Sequence, residues 1–255
     1  MKISVVTVTF NSGKTVRDTI ESVLSQSYQD YDYIIVDGGS KDDTIDIVKE
    51  YLPRFGGRMR YLSEPDNGMY DAMNKGIRMA EGDVVGIVNS DDFYHRDDIF
   101  QIVASAFESD PDIQAIYGDV RFVHPDNLEK TVRYYSSARF RPSKFRWGWM
   151  PAHPSFFTYK GNFEKFGYYK TDYHIAADFD LLMRFLYIHH LPAKYIPEDF
   201  LKMRTGGRST NGIKSNILLN REIVRSCKEN GIYTNLPMLF LKYFVKVFEL
   251  VKTRN

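Results

Sequence analysis

The sequence EGDVVGIVNSDD occupies residues 81–92 and joins a short apolar run to two acidic side chains. A brief run rich in β-branched residues, bounded by polar residues, is typical of a buried strand. Asp91 and Asp92 are therefore predicted at the carboxyl end of a strand, the place where open parallel sheets bind ligands. The pair by itself is equally compatible with an Asx-turn or a helix cap that leads into the next element.

Strand and helix patterns alternate on both sides of this stretch. Strands are predicted at 3–10, 33–37, 60–63, 84–89 and 115–119, and helices at 69–80, 99–107, 177–189, 213–230 and 237–252. Such alternation implies right-handed βαβ units. We therefore predict an α/β fold with a mostly parallel, Rossmann-like sheet flanked by helices and followed by a C-terminal helical extension.

Length and composition narrow the class of protein. The 255 residues are 43% hydrophobic, enough for a full core. A single cysteine, Cys227, and the absence of any N-x-S/T sequon predict a cytoplasmic protein. No apolar run reaches about 18 residues, so no spanning helix is predicted. Residues 1–201 carry a net negative charge and residues 202–255 a net positive charge. This distribution favours an acidic site that holds a metal, with a basic C-terminal segment that binds an anionic partner, and it is not typical of nucleic-acid binding.

Polar residues follow the predicted strands at the edge where a ligand would bind. They are Thr9-Phe10-Asn11, Asp37, the stretch 64–68 and Asp91-Asp92. Carboxylates gathered at one edge would repel one another, and Mg²⁺ or Mn²⁺ with a polyphosphate would relieve that repulsion. Asp37, just before two glycines, is predicted either to accept hydrogen bonds from a base or ribose or to close a turn.

Residues 172–186, DYHIAADFDLLMRFL, place a carboxylate on the apolar side of a predicted helix. Asp178 shares a helix face with Leu181 and Leu182, whereas Asp180 lies about 200° away and is expected to face solvent or a second ligand. A carboxylate near a helix start can act as a general base or as an N-cap.

Two further segments offer ligand contacts. Residues 130–163 contain no acidic side chain, and the aromatic, basic stretch 139–153 is predicted to bind an acceptor or to pack in the core. Arg204 and Arg208 lie in RTGGRSTN, residues 204–211, which is predicted to be a loop that closes over phosphates or stays solvated.

Five stretches occur together in an order that resembles the family 2 glycosyltransferases, which have the GT-A fold. They are VVTVTFN, DGGSKDDT, EPDNGMYDAMNKG, EGDVVGIVNSDD and AADFDLLMR. The resemblance covers about residues 1–210, and EPDNGMYDAMNKG looks most like bacterial capsule and exopolysaccharide transferases. It implies a nucleotide-sugar-binding half at 1–120, an acceptor half at 121–210 and C-terminal helices at 211–255.

The resemblance also implies a chemistry, an inverting, Mn²⁺- or Mg²⁺-dependent sugar transfer from a nucleotide-diphosphate donor, by family a UDP-sugar. Thr9, Asn11 and Asp37 would hold the nucleoside, with Phe10 near the base. Asp92 would ligate the metal, and Asp91 would bind the ribose or share the metal. Asp178 would deprotonate the acceptor hydroxyl. The family's Glu-Asp pair reads Ala177-Asp178 here, which leaves Asp178 as the one base candidate.

Two other functions on a similar fold are alternatives to sugar transfer, and the sequence argues against each. A non-catalytic sugar-nucleotide-binding protein on the same fold would lack a working base, and the presence of Asp178 argues against it. A nucleotidyltransferase would need a glycine-rich, basic N-terminal loop that this sequence lacks.

The last segment, residues 236–252, has phenylalanines every four residues and interspersed lysines. This pattern predicts an interfacial helix on the inner face of the cytoplasmic membrane, near a polyprenyl-diphosphate-linked acceptor. The alternative is a helix that packs on protein.

Overall fold

The computed structural model describes residues 1–206 and 212–241. Its strands are β1 (Ile3–Thr9), β2 (Tyr31–Asp37), β3 (Met59–Ser63), β4 (Val84–Ile87), β5 (Asp92–Tyr94), β6 (Ala115–His124), β7 (Asn127–Tyr135), β8 (Phe157–Tyr159) and β9 (Ala193–Arg204). Its helices are α1 (Val16–Leu24), α2 (Thr44–Tyr51), α3 (Met69–Met79), α4 (Ile99–Glu108), α5 (Lys160–Phe166), α6 (Ala177–Met183) and α7 (Gly212–Glu229).

One curled sheet runs through the described residues in the order β3-β2-β1-β4-β8-β6-β9-β5, with β7 paired to β6. Strands β3, β2, β1 and β4 are parallel neighbours. Strand β8 joins this block to the second half of the sheet in antiparallel pairing, and β6 and β9 are parallel. The predicted α/β fold is confirmed, with four parallel neighbours in the N-terminal half and one further parallel pair, β6 with β9, in the second half.

The side chains of β1 alternate between two hydrophobic cores. Val6 and Val8 contribute to the core that contains α3 and α6, whereas Ile3 and Val5 contribute to the core under α1, α2 and α4. Both faces of the sheet are therefore covered by helices, as expected for parallel strands. The loops that follow β1 to β4 are left to meet at one edge of the sheet.

Helix α7 belongs to the first core and changes the surroundings of α6. Asp180 is fully buried, and its carboxylate binds Arg184 at 2.7 Å, Lys170 at 3.1 Å and the hydroxyl of Ser226 on α7 at 2.8 Å. The expectation that Asp180 faces solvent or a second ligand was wrong. The periodicity of α6 could not reveal a partner helix 46 residues further along the chain.

The described start of the predicted C-terminal helix, 236–241, is helical. Leu239 is buried, whereas Leu236 and Leu241 are 43% and 52% exposed. Residues 242–252 of this prediction lie outside the described part of the chain. Within the part that is described, no helix has both the length and the apolar character needed to cross a membrane.

Candidate active site

Asp37 organises the turn after β2. Its buried carboxylate accepts hydrogen bonds from the hydroxyls of Thr9, Ser40 and Ser63 and from the backbone N–H groups of Gly39 and Ser40. Burial acts to raise its pKa, but these donors outweigh burial, and the pKa lies below its usual value. A nucleoside could contact this carboxylate only by replacing one of the five bonds.

The two glycines that follow Asp37 fit this turn for different reasons. A Cβ on Gly38 would lie 2.5 Å from the carboxylate of Asp66, so the stretch after β3 approaches the turn closely. Gly39 has a φ of +81°, a conformation that side chains disfavour. Residues 37–40 after β2 and residues 63–66 after β3 therefore pack against each other and form one polar surface, which we call the polar floor.

The loop after β1 connects this floor to the acidic pair. The backbone N–H of Asn11 donates to the Ser40 hydroxyl at 2.7 Å, and the Asn11 side chain accepts from the N–H of Lys41. The hydroxyls of Ser12 and Ser90 lie 2.8 Å apart. Phe10, on the same loop, is 60% exposed and is free to cover a bound ring. The structure thus brings together the predicted residues at the ends of β1, β2 and β4.

Asp92 is buried at the start of β5, and the Thr19 hydroxyl donates to its backbone carbonyl at 2.7 Å. Burial, and then the charge of Asp91, holds the pKa of Asp92 well above its usual value. Burial also raises the pKa of Asp91. A divalent cation would favour the ionised form of both carboxylates.

Asn89 supplies a third oxygen at this place. Its buried Oδ1 finds no hydrogen-bond partner among residues 1–206 and 212–241, while its Nδ2 lies 3.3 Å from Asp92 Oδ2. The same ranges contain no cluster of three His, Cys, Asp or Glu side chains arranged for a metal. The available donors are two carboxylates and an amide oxygen, a hard oxygen set that fits Mg²⁺ or Mn²⁺ completed by phosphate oxygens.

Arg204 is the last residue of β9, not part of a loop as predicted. Its guanidinium donates to the backbone carbonyl of Asp91 and binds the carboxylate of Asp18, and it lies over the ring of Phe93 at 5.2 Å. The strand extends to Arg204 because β9 pairs along β6. Arg204 therefore adjoins the acidic pair, whereas Arg208 lies outside the described residues.

Asp178 lies at the start of α6 and is partly exposed. Burial of its carboxylate raises its pKa to about 6, opposed by a hydrogen bond of 2.7 Å from the N–H of Phe179. The charge of Glu222 adds to the rise. A carboxylate with a pKa near 6 is ionised at neutral pH and still basic enough to accept a proton.

Tyrosines connect Asp178 to the first half of the molecule. Tyr70, on α3, donates its hydroxyl to the Ile175 carbonyl at 2.6 Å and stacks on Tyr169 with ring centroids 5.8 Å apart. Burial and the negative charge of Asp178 raise the pKa of both tyrosines. Tyr70 belongs to EPDNGMYDAMNKG, so the motif predicted for the donor half also contacts the segment before α6.

The predicted acceptor segment lies beside α6. Phe145 is buried and packs edge-on against Phe179, the neighbour of Asp178, with ring centroids 5.3 Å apart. Trp147, two residues further, is 38% exposed. The segment is thus core at Phe145, as one of the two alternatives predicted, and exposed at Trp147.

Several residues of this site carried no usable signal in the sequence. The hydroxyls of Ser12 and Ser63 contact Ser90 and Asp37, and the carboxylate that contacts the segment before Asp178 belongs to Glu222. Serines are common in loops, and Glu222 lies on a distant helix. Tyr70 could have been identified from its motif.

The fold and this site together define a class of protein. A parallel half-sheet with a polar floor and an acidic pair at its carboxyl edge, together with a helix that carries a separate carboxylate, agrees with the GT-A fold that the sequence resemblance implies. Comparison with known proteins identifies the family. The model described as glycosyl transferase family 2 matches residues 4–185, and the chain belongs to this family of glycosyltransferases.

Sequence relatives agree with this assignment. The PGL/p-HBAD biosynthesis glycosyltransferase of Mycobacterium tuberculosis is 28% identical over 182 residues, which cover 71% of this chain and 68% of that protein. An M. tuberculosis protein described as an uncharacterized glycosyltransferase is 32% identical over 185 residues, with the same coverage.

Solved structures share the fold at low sequence identity. S. aureus TarS 1–349 in complex with UDP-GlcNAc has a TM-score of 0.67 at 17% identity, over 89% of this chain and 66% of that one. The chain spans 39% of the longer TarS chain. The Pyrobaculum calidifontis mannosyltransferase in complex with GDP-Man and Mn²⁺ has a TM-score of 0.63 at 14% identity, over 97% of this chain and 80% of that one.

Proposed function

We propose that this glycosyltransferase performs an inverting, divalent-metal-dependent transfer of a sugar from a UDP-sugar to a hydroxyl group. The acceptor is a glycan or a polyprenyl-diphosphate-linked sugar used in bacterial surface polysaccharide synthesis. The observation that carries this proposal is the separation of two kinds of carboxylate. Asp91 and Asp92 form a close pair beside the polar floor, whereas Asp178 stands apart at the start of α6.

The polar floor binds the nucleotide in this proposal. Asn11 and the turn around Asp37 hold the nucleoside, Thr9 supports Asp37, and Phe10 covers the base. Arg204 exchanges its contact with Asp18 for the donor's phosphates. The ligands of the two structural neighbours, UDP-GlcNAc and GDP-Man with Mn²⁺, support a nucleotide-diphosphate donor.

Asp92 and Asn89 would hold the cation, and Asp91 would share it or bind the ribose. When bound, the cation supplies charge neutralisation for the leaving diphosphate. The protein's own part would be to hold two carboxylates and an amide oxygen at the connection between β4 and β5, with the buried Asp92 fixed by its place in β5.

Asp178 is the general base. An inverting displacement needs one group that accepts the proton of the attacking hydroxyl and needs no enzyme nucleophile. In this proposal the acceptor hydroxyl binds beside Asp178 at the start of α6, and the pKa of about 6 suits proton transfer at neutral pH. The neighbouring carboxylate of Glu222 is occupied by three backbone N–H groups. A carboxylate with a raised pKa at this position argues against the non-catalytic alternative.

Thermal unfolding with nucleotide sugars tests the donor. We expect one UDP-sugar, in a panel of UDP- and GDP-sugars, to raise the Tm by several degrees with Mn²⁺ present. At a ligand concentration of about 100 Kd, binding adds about 2.7 kcal/mol to the free energy of unfolding. The same sugar without Mn²⁺, and Mn²⁺ alone, are the controls. Equal shifts with and without the metal would contradict metal dependence.

Contact with a membrane is the remaining part of the proposal, and it places the enzyme at the inner face of the cytoplasmic membrane. Leu236 and Leu241 present exposed apolar side chains at the described start of the C-terminal helix. In flotation at low salt, the full chain is expected to rise with phosphatidylglycerol vesicles, and a Leu236→Ser/Leu241→Ser variant to rise less. If neither protein floats, the helix packs on protein and the membrane contact is wrong.

A further inference from the structure

Glu222 lies on α7, beyond the residues that the family model matches. Its buried carboxylate accepts hydrogen bonds from the backbone N–H groups of His174, Ile175 and Ala176 at 2.8, 2.9 and 2.9 Å. These residues immediately precede α6, and Ala176 is its N-cap. In a capping box the side chain of the third helical residue accepts the N–H of the N-cap residue, but that position is Phe179 here, so Glu222 supplies this acceptor from another helix.

The same segment is held from the opposite direction. While the N–H of Ile175 donates to Glu222, its carbonyl accepts the hydroxyl of Tyr70 on α3 at 2.6 Å. Both polar groups of one residue are thus fixed by side chains from two different helices. Asp178 follows three residues later, in the first turn of α6.

We propose that Glu222 is a positioning residue for the general base: by fixing residues 174–176, it sets where the first turn of α6 presents Asp178 to the acceptor hydroxyl. This inference rests on the proposed function, in which Asp178 is the base. A displacement of about 1 Å in a reacting group can cost about 100-fold in rate. Helix α7 is then part of the catalytic geometry and not only a cover for the core.

The charges around Asp178 make this role measurable. Tyr70 on α3 and Tyr169 in the preceding loop face it, and both have raised pKa values, so they stay neutral. His153, bound to the Tyr169 hydroxyl, has its pKa lowered to about 4 by burial and is neutral as well. Glu222 contributes a negative charge, which raises the pKa of Asp178.

The decisive variant is Glu222→Gln, which removes the charge and turns an amide NH₂ toward backbone donors. Turnover is followed as UDP release from the UDP-sugar selected by the thermal screen, with polyprenyl-diphosphate sugars as acceptors. We expect kcat at pH 8 to fall roughly 10- to 100-fold. Since an ionised base is required, wild-type activity falls as the pH drops through about 6, and this limb should move to lower pH in the variant.

Glu222→Asp keeps the charge but shortens the side chain, so it should lower kcat and leave the acid limb in place. Glu229→Gln is the matched control, because Glu229 lies on the same helix but binds Lys170, Tyr173 and Arg225 at the surface. It should keep wild-type kcat and pH dependence. Amide hydrogen exchange of residues 174–176 should accelerate in both Glu222 variants and not in the control.

An unchanged kcat in Glu222→Gln, or a loss of kcat with the acid limb and the exchange of 174–176 unchanged, would overturn the inference. If Glu222→Gln does not fold, a wild-type kcat in Glu222→Asp overturns it. Failure of the underlying function has a different signature, because full turnover in an Asp178→Asn variant would show that Asp178 is not the base, whatever Glu222 does.

Discussion

Replacement of Asp178 by Asn should lower kcat by roughly 10²- to 10⁴-fold, the range for loss of a positioned acid–base group. Asn has the shape of Asp but cannot accept the acceptor's proton. Donor binding should be unchanged, because the contacts of Asp178 are with the start of α6 and the tyrosines, not with the polar floor. Calorimetric titration with the UDP-sugar and Mn²⁺, together with UDP release, separates the two effects.

Stability measurements test whether a loss of activity in Asp178→Asn comes from unfolding instead of from loss of the base. Burial raises the pKa of Asp178 to about 6, so the folded state binds its proton more tightly than the unfolded chain does. The ionised side chain therefore costs folding free energy above that pH, and Asp178→Asn should be as stable as the wild type or more stable at pH 8. Asp172→Asn, at an exposed position before α6, is the control and should keep full activity. Turnover within tenfold of the wild type would assign the base elsewhere.

The sequence predicted the parallel half of the sheet well because each strand there ends in polar residues. The runs before Asn11, Asp37 and Asn89 are buried on both faces, and such runs are short, apolar and easy to identify. The second half was harder, since β6 and β7 extend through partly exposed residues. Arg204 was assigned to a loop because its neighbours are glycines, whereas pairing with β6 keeps it in a strand.

The sequence predicts a residue of the candidate site when the position of that residue is determined by a single strand or helix. Asp91, Asp92 and Asp178 could be singled out as candidates because each stands next to an apolar run that fixes its place in the chain. Contacts between distant segments left no local trace: Asp180 is turned inward by α7, and Glu222 reaches a loop 46 to 48 residues earlier in the chain. Helical periodicity describes one helix at a time and cannot show which second helix covers it.

Asp92→Asn should remove Mn²⁺-dependent nucleotide binding while leaving the fold intact. The substitution takes away one of two adjacent carboxylates, so the charge available to a cation falls by half and the burial of a charged group at β5 is relieved. We expect calorimetric titration of UDP in the presence of Mn²⁺ to show affinity reduced by more than roughly 100-fold, beyond the effect of losing a group that merely supports a ligand. The Tm without ligand should not decrease.

Asp91→Asn and Asp97→Asn make this result specific. Asp97 is exposed in the same stretch of chain, and its variant should bind UDP with Mn²⁺ as the wild type does. If Asp91 shares the cation, its variant should lose only the metal-dependent part of the affinity, and if it binds the ribose, affinity should fall without Mn²⁺ as well. Undiminished Mn²⁺-dependent affinity in Asp92→Asn would remove Asp92 from the metal site, because a buried carboxylate that ligates a cation cannot be neutralised without cost.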